Sequence, residues 1–202
     1  MKKFITLALA LCMALSASIC ASAAEVNTDG GSGSTPVYLS STEDGTLNGD
    51  PSATAMSVTV PTALPMAMSQ TGDVTTADNC QIINNSYGAV RVKSVNITTA
   101  NGWRLTSFGD KSTLASEKVD SNKLGFALSI GGGTQVMTDT SDESSQYLIS
   151  APIAGCYMSG IGNASGNAVS VDYEAIVTPL SNAVTNANIA NVVFVIEWDT
   201  AA

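Results

Sequence analysis

The chain contains no histidine. That absence removes Ser-His-Asp and Cys-His catalysis, imidazole-bound zinc and the one side chain that titrates near neutrality unaided. Charge is scarce too: 12% of the 202 residues are charged, and 8 basic residues face 17 acidic ones. No basic stripe exists to neutralise phosphates, so neither nucleic acid nor an anionic membrane surface is an expected partner. Aromatic residues make up only 5%. Beyond the first two dozen residues there is no long apolar run and no sustained 3.6-residue apolar period, which leaves no amphipathic helix to compete with strands.

What is present begins at the N-terminus. Lys2 and Lys3 precede an apolar run over residues 4–17, and Ala21-Ser22-Ala23 follows as a small-x-small pattern. This reads as a secretory signal peptide, residues 1–23, with Ser22-Ala23-Ala24 an equally good cleavage frame. Ile19 before Cys20 and Leu11 before Cys12 do not fit a lipidation site. Removing residues 1–23 takes two lysines and no acid, so six basic and 17 acidic residues remain and the net charge moves from −9 to −11. The C-terminal residues 192–202 carry neither an apolar tail with a basic flank nor a Leu-Pro-x-Thr-Gly sorting signal. The expectation is a secreted, extracellular protein, held at the cell surface by non-covalent contacts and free of the membrane after cleavage.

Two cysteines survive that cleavage, Cys80 and Cys156. Outside the cell they could close a long loop, worth roughly 4 kcal/mol in the chain-entropy account. They could equally be two buried thiols acting as small hydrophobes.

Residues 24–52 read as a flexible leader, rich in Gly and Ser and interrupted by Asp44-Gly45, Asn48-Gly49 and Pro51. Within it, residues 36–41 (Pro-Val-Tyr-Leu-Ser-Ser) form an isolated strand-like segment. From residue 53 to 202 the pattern is that of a sheet protein. Met56 to Val60 alternates and stops at Pro61; residues 62–69 are extended; residues 80–84 form a short strand.

Residues 89–99 form a long strand whose apolar face switches between Val90/Val92 and Val95/Ile97, which predicts a bulge near Ser94. Asn101-Gly102 suits a two-residue primed turn, predicting a hairpin with residues 103–108. Further strands are predicted at 124–130, 134–138, 146–149 and 156–158. Residues 168–177 alternate, with Val169, Val171, Tyr173, Ala175 and Val177 inward. A polar connection over 182–191 leads to a last strand with Val192, Phe194, Ile196 and Trp198 on one face. Eight to ten short strands predict an all-β domain, a single antiparallel sandwich of Ig-like or Greek-key type. A core of that size needs no cofactor or metal for stability.

The enzymatic candidates are weak. Gly131-Gly132-Gly133 and Gly160-Ile161-Gly162 read as turn glycines, since no Lys-Ser or Lys-Thr follows as in a phosphate loop. Asp172 and Glu174 share a strand face about 7 Å apart, a spacing open to two-carboxylate hydrolysis, yet alternating acids are ordinary on a wet strand face. The acids at 139–143 and 43–45 lack the spacing of a calcium loop. Lys93 has no marked partner for an isopeptide bond. No catalytic residue is assigned, and the chain is not expected to be an enzyme.

Gly102-Trp103-Arg104-Leu105 resembles the Trp-x-Leu signature of the WxL domain, a surface module of Gram-positive bacteria. The C-terminal Phe194-Val195-Ile196-Glu197-Trp198-Asp199-Thr200 resembles that family's second aromatic motif, with Thr200 in place of a leucine and the trailing proline missing. The resemblance implies an exported sandwich that binds non-covalently to peptidoglycan or to other surface proteins, with Trp103, Leu105 and Trp198 as binding residues. The alternative reading makes both tryptophans core anchors. A second, more general layout is similar to camelysin-type matrix-fibre subunits: signal peptide, leader, short strand, sandwich. It implies an extracellular fibre whose subunits bind one another, with Val37 and Leu39 inserting from the leader strand into a neighbouring copy of the chain.

Overall fold

Alternation, β-branched residues and closely spaced turn residues cut the chain into strands with little helix. In the computed structural model, residues 55–163 and 165–200 are described. The order is β1 (Val58–Thr59), β2 (Met66–Met68), β3 (Val74–Thr76), β4 (Gln81–Asn84), β5 (Val90–Thr99), β6 (Arg104–Leu105), the one-turn helix α1 (Ser112–Ala115), β7 (Lys123–Ile130), β8 (Val136–Met137), β9 (Ser145–Ile149), β10 (Tyr157–Met158), β11 (Ala168–Val177) and β12 (Ala190–Trp198). The unit containing them runs from Thr54 to Ala202. The signal peptide, the leader and the 36–41 segment with Val37 and Leu39 lie outside the described residues.

Two sheets hold nearly all the strands. The first has the order β1-β4-β11-β7-β6, with β8 also on β7. The second has the order β10-β5-β12, with β9 also on β5. Pairing is antiparallel except between β6 and β7. The core lies between the sheets: Ile82, Leu124, Phe126, Leu128, Val171 and Tyr173 come from the first, and Val90, Val92, Val95, Ile97 and Met158 from the second. This is the all-β, sandwich-like arrangement expected. The inward set on β11 is as read, with Val171, Tyr173 and Ala175 buried.

The bulge predicted near Ser94 is present. Val195 pairs with Ser94 and Ile196 with Val92, so Lys93 is the extra residue. It shifts the strand's inward set from Val90 and Val92 to Val95 and Ile97, all four fully buried. The irregularity falls on β5, and β12 stays regular.

The predicted hairpin is corrected. Asn101 and Gly102 do take positive φ, 52° and 80°, and the turn closes by Trp103 N–H donating to the Ala100 carbonyl at 3.1 Å. However, β5 is already bordered by β12 on one side and by β9 and β10 on the other. The chain therefore leaves the turn for the opposite sheet, where β6 runs parallel to β7. The turn chemistry was local and correct; the partner was decided by which edges stood free.

Candidate functional site

β12 and the connection before it form one wall of an apolar groove. The other wall is the stretch from Thr62 to Met68, ending in β2. The groove encloses about 780 Å3, and Ile97, Leu124 and Phe126 of the core form part of its lining. That volume is in the range of ligand sites. None of its lining residues is charged; its apolar lining includes Leu64, Met66, Leu180, Ile189 and Val192, and Asn182, Asn186, Asn188 and Asn191 supply amide groups. In a chain with net charge −9, a charge-free recess of that size selects against ionic ligands.

Two ties hold the walls. Tyr173 on β11 reaches across to the β2–β3 hairpin, where its hydroxyl donates to the Pro65 carbonyl and accepts from Ala77 N–H at 3.2 Å. Its ring stacks on Phe126 with centroids 6.0 Å apart, and burial pushes its phenol pKa up. On the other wall, the Asn101 side-chain amide donates to the Asn188 carbonyl at 2.8 Å, fastening the connection to the β5–β6 turn.

The edge of β12 is itself unusual. Among the described residues it pairs only with β5, over nine register positions. Val192, Phe194, Ile196 and Trp198 face the core but are only half-buried, and Val193 and Val195 on the outer face are 52% and 42% exposed. Its single charge, Glu197, is held by Arg91 at 2.8 Å and Lys93 at 3.1 Å. Those cations, Lys93 first, hold its carboxyl below the usual range.

The residues singled out by the WxL resemblance separate. Trp103 is half-buried on the groove wall. Leu105 is fully buried and touches no solvent, so the structure corrects its assignment as a binding residue. Trp198 sits at the far end of the β5–β12 ladder, opposite Val90, with its ring over Gly88. A Cβ on Gly88 would lie 3.0 Å from that ring. By strand rise, the two ends of this ladder are roughly 25 Å apart, so the tryptophans do not form one site within a single copy.

Of the two readings open for the cysteines, the structure has the free thiols, with Cys156 buried and Cys80 half-buried. Cys80 leads into β4 of the first sheet and Cys156 into β10 of the second; their carbonyls accept from Val171 and Val92 respectively. Burial pushes the Cys156 thiol pKa up, which favours the unreactive form.

A second, polar recess of about 270 Å3 is lined by Asp78, Asp172 and Glu174 together with Gln135 and Tyr173. Asp172 is engaged by the Ser170 hydroxyl at 3.0 Å, and Glu174 by Gln135 at 3.4 Å. Both acidic residues are exposed. Among the described residues no cluster of three or more metal-ligating side chains occurs, and no helix is long and apolar enough to cross a membrane. No family model, curated protein or solved structure matches the chain.

The groove was not legible from any motif. One signal existed: residues 51–72 and 175–196 contain no charged residue at all, and these two stretches supply most of its lining.

Proposed function

We propose that the chain is an exported, non-enzymatic β-sandwich of the Gram-positive cell surface that acts by non-covalent binding. Its binding site is the groove between β2 and β12, and its ligand class is an extended, uncharged, apolar polypeptide segment of a surface protein. The observation that carries this reading is the charge-free lining beside a strand edge that has no partner among the described residues. An added strand gains main-chain hydrogen bonds from such an edge and side-chain selectivity from the pockets next to it. Peptidoglycan, with its hydroxyls and carboxylates, suits this lining less well.

The test is sedimentation of the mature chain with isolated cell walls, before and after protease stripping of the walls. Binding is expected to fall on stripping and on Ile189→Asp, with far-UV circular dichroism unchanged. Equal binding to stripped walls, or by a folded Ile189→Asp chain, would refute the assignment.

A fibre-subunit reading is favoured by one observation. Residues 36–41 are uncharged and alternate Val37 and Leu39, matching a charge-free groove. Under this reading deletion of residues 25–41 stops polymerisation of the mature chain. A chain that stays monomeric at every concentration excludes it.

A further inference from the structure

We infer that the segment completing the β12 edge is β12 of a second copy, paired antiparallel about a two-fold axis at Phe194. This rests on reading the β2–β12 flank as the interaction surface and goes further by taking the added strand of that reading to be the chain's own β12 in a second copy. The edge carries none of the usual devices against pairing: it has no proline, no lysine and no bulge of its own, the extra residue Lys93 lying in β5. Nine regular residues with exposed valines are a template for another strand.

The register follows from charge and face. Because side chains alternate, only registers that match inward with inward residues keep the apolar row continuous. A two-fold at Phe194 sets Val193 across from Val195 of the partner subunit, and Val192 across from Ile196 of the partner subunit. It also sets Glu197 across from Asn191 of the partner subunit, so that no carboxylate meets a carboxylate. Moving the axis to Ile196 places Val195 against a carboxylate, and moving it to Glu197 makes the two acids face each other. The only charge on the strand is already neutralised by Arg91 and Lys93, so the edges meet without net repulsion in an otherwise acidic protein. This symmetric, self-complementary contact closes at two copies. It brings Trp198 of the partner subunit opposite Ala190, at the end of β12 that borders the groove, which also holds Trp103. The two tryptophans that one copy holds apart would then sit at the same end of the joint sheet.

Sedimentation equilibrium of the full mature chain tests this with a charge swap. The double variant Val193→Lys/Val195→Lys sets lysines across from lysines and is expected to weaken dimerisation about tenfold or more. The double variant Val193→Lys/Val195→Glu sets lysine across from glutamate and is expected to restore it to within about threefold of the parent. Both positions are exposed, and melting curves check that both variants fold. A monomeric parent chain, equal dimerisation by the two variants, or assembly that vanishes when residues 25–41 are deleted would each overturn the inference. If the parent is monomeric while Ile189→Asp still abolishes wall binding, the dimer fails and the proposed function stands.

Discussion

The two flanks of this sandwich are built differently. On one, β7 is bordered by β6 and β8, two residues each, and β5 by β9 and β10, of five and two residues. On the other, β12 presents nine consecutive residues with no partner beyond β5 among those described. Short, broken edge strands are a common protection against strand addition. Here the first flank uses that protection and the second does not. The difference separates a part of the molecule made to be stable from a part left available.

Breaking the stable side should have the largest effect. Leu128→Ala removes a fully buried side chain on β7, and urea denaturation is expected to show a loss of about 2–5 kcal/mol. Tyr173→Phe comes next. It leaves the ring stacked on Phe126 but strips partners from the Pro65 carbonyl and Ala77 N–H, at an expected cost of about 1–3 kcal/mol in the same assay. It should also weaken wall binding, since it frees one wall of the groove. Phe194→Ala, half-buried on the open flank, is expected to cost less than Leu128→Ala, about 1–2 kcal/mol, while weakening self-association more than any core change. Equal losses at Leu128 and Phe194 would erase the contrast between the flanks.

The smallest effect is the dependence on pH. Lys93 and Arg91 depress the Glu197 carboxyl in the folded state. Its contribution is therefore present above the unfolded value, about pH 4.3, and is lost as pH falls through the lower folded value. Amide exchange along β12 should accelerate relative to β7 across that acid window. An unchanged ratio would mean the ion pairs do not hold the edge strand to β5.

Much of the sheet could be read from local pattern. The alternation of β11, the one-sided apolar row of β12 and the face switch in β5 each report a side chain's direction. Direction along a strand is fixed by neighbours in sequence. The Asn101-Gly102 conformation was readable for the same reason, because positive φ is a local demand. What escaped was partnership. β6 joins β7 in parallel, and β3, only Val-Thr-Thr, carries too few residues to show a period. The groove joins stretches more than 100 residues apart, so no window of sequence contains it. Trp103 and Leu105 stand two positions apart, yet one lines the groove and the other is sealed in the core. Their shared motif says nothing of that division, which only packing reveals.

β1 also has a mechanical meaning. It is joined to the rest by two register pairs, Val58 with Asn84 and Thr59 with Ile83, whereas β12 at the other end has nine with β5. A chain stretched between its ends, as one attached at a surface is under flow, should first peel β1 away at low load. The tether lengthens while the core remains whole. In single-molecule force spectroscopy this appears as a small early extension before the main unfolding event; its absence would show that β1 bears load as firmly as β12.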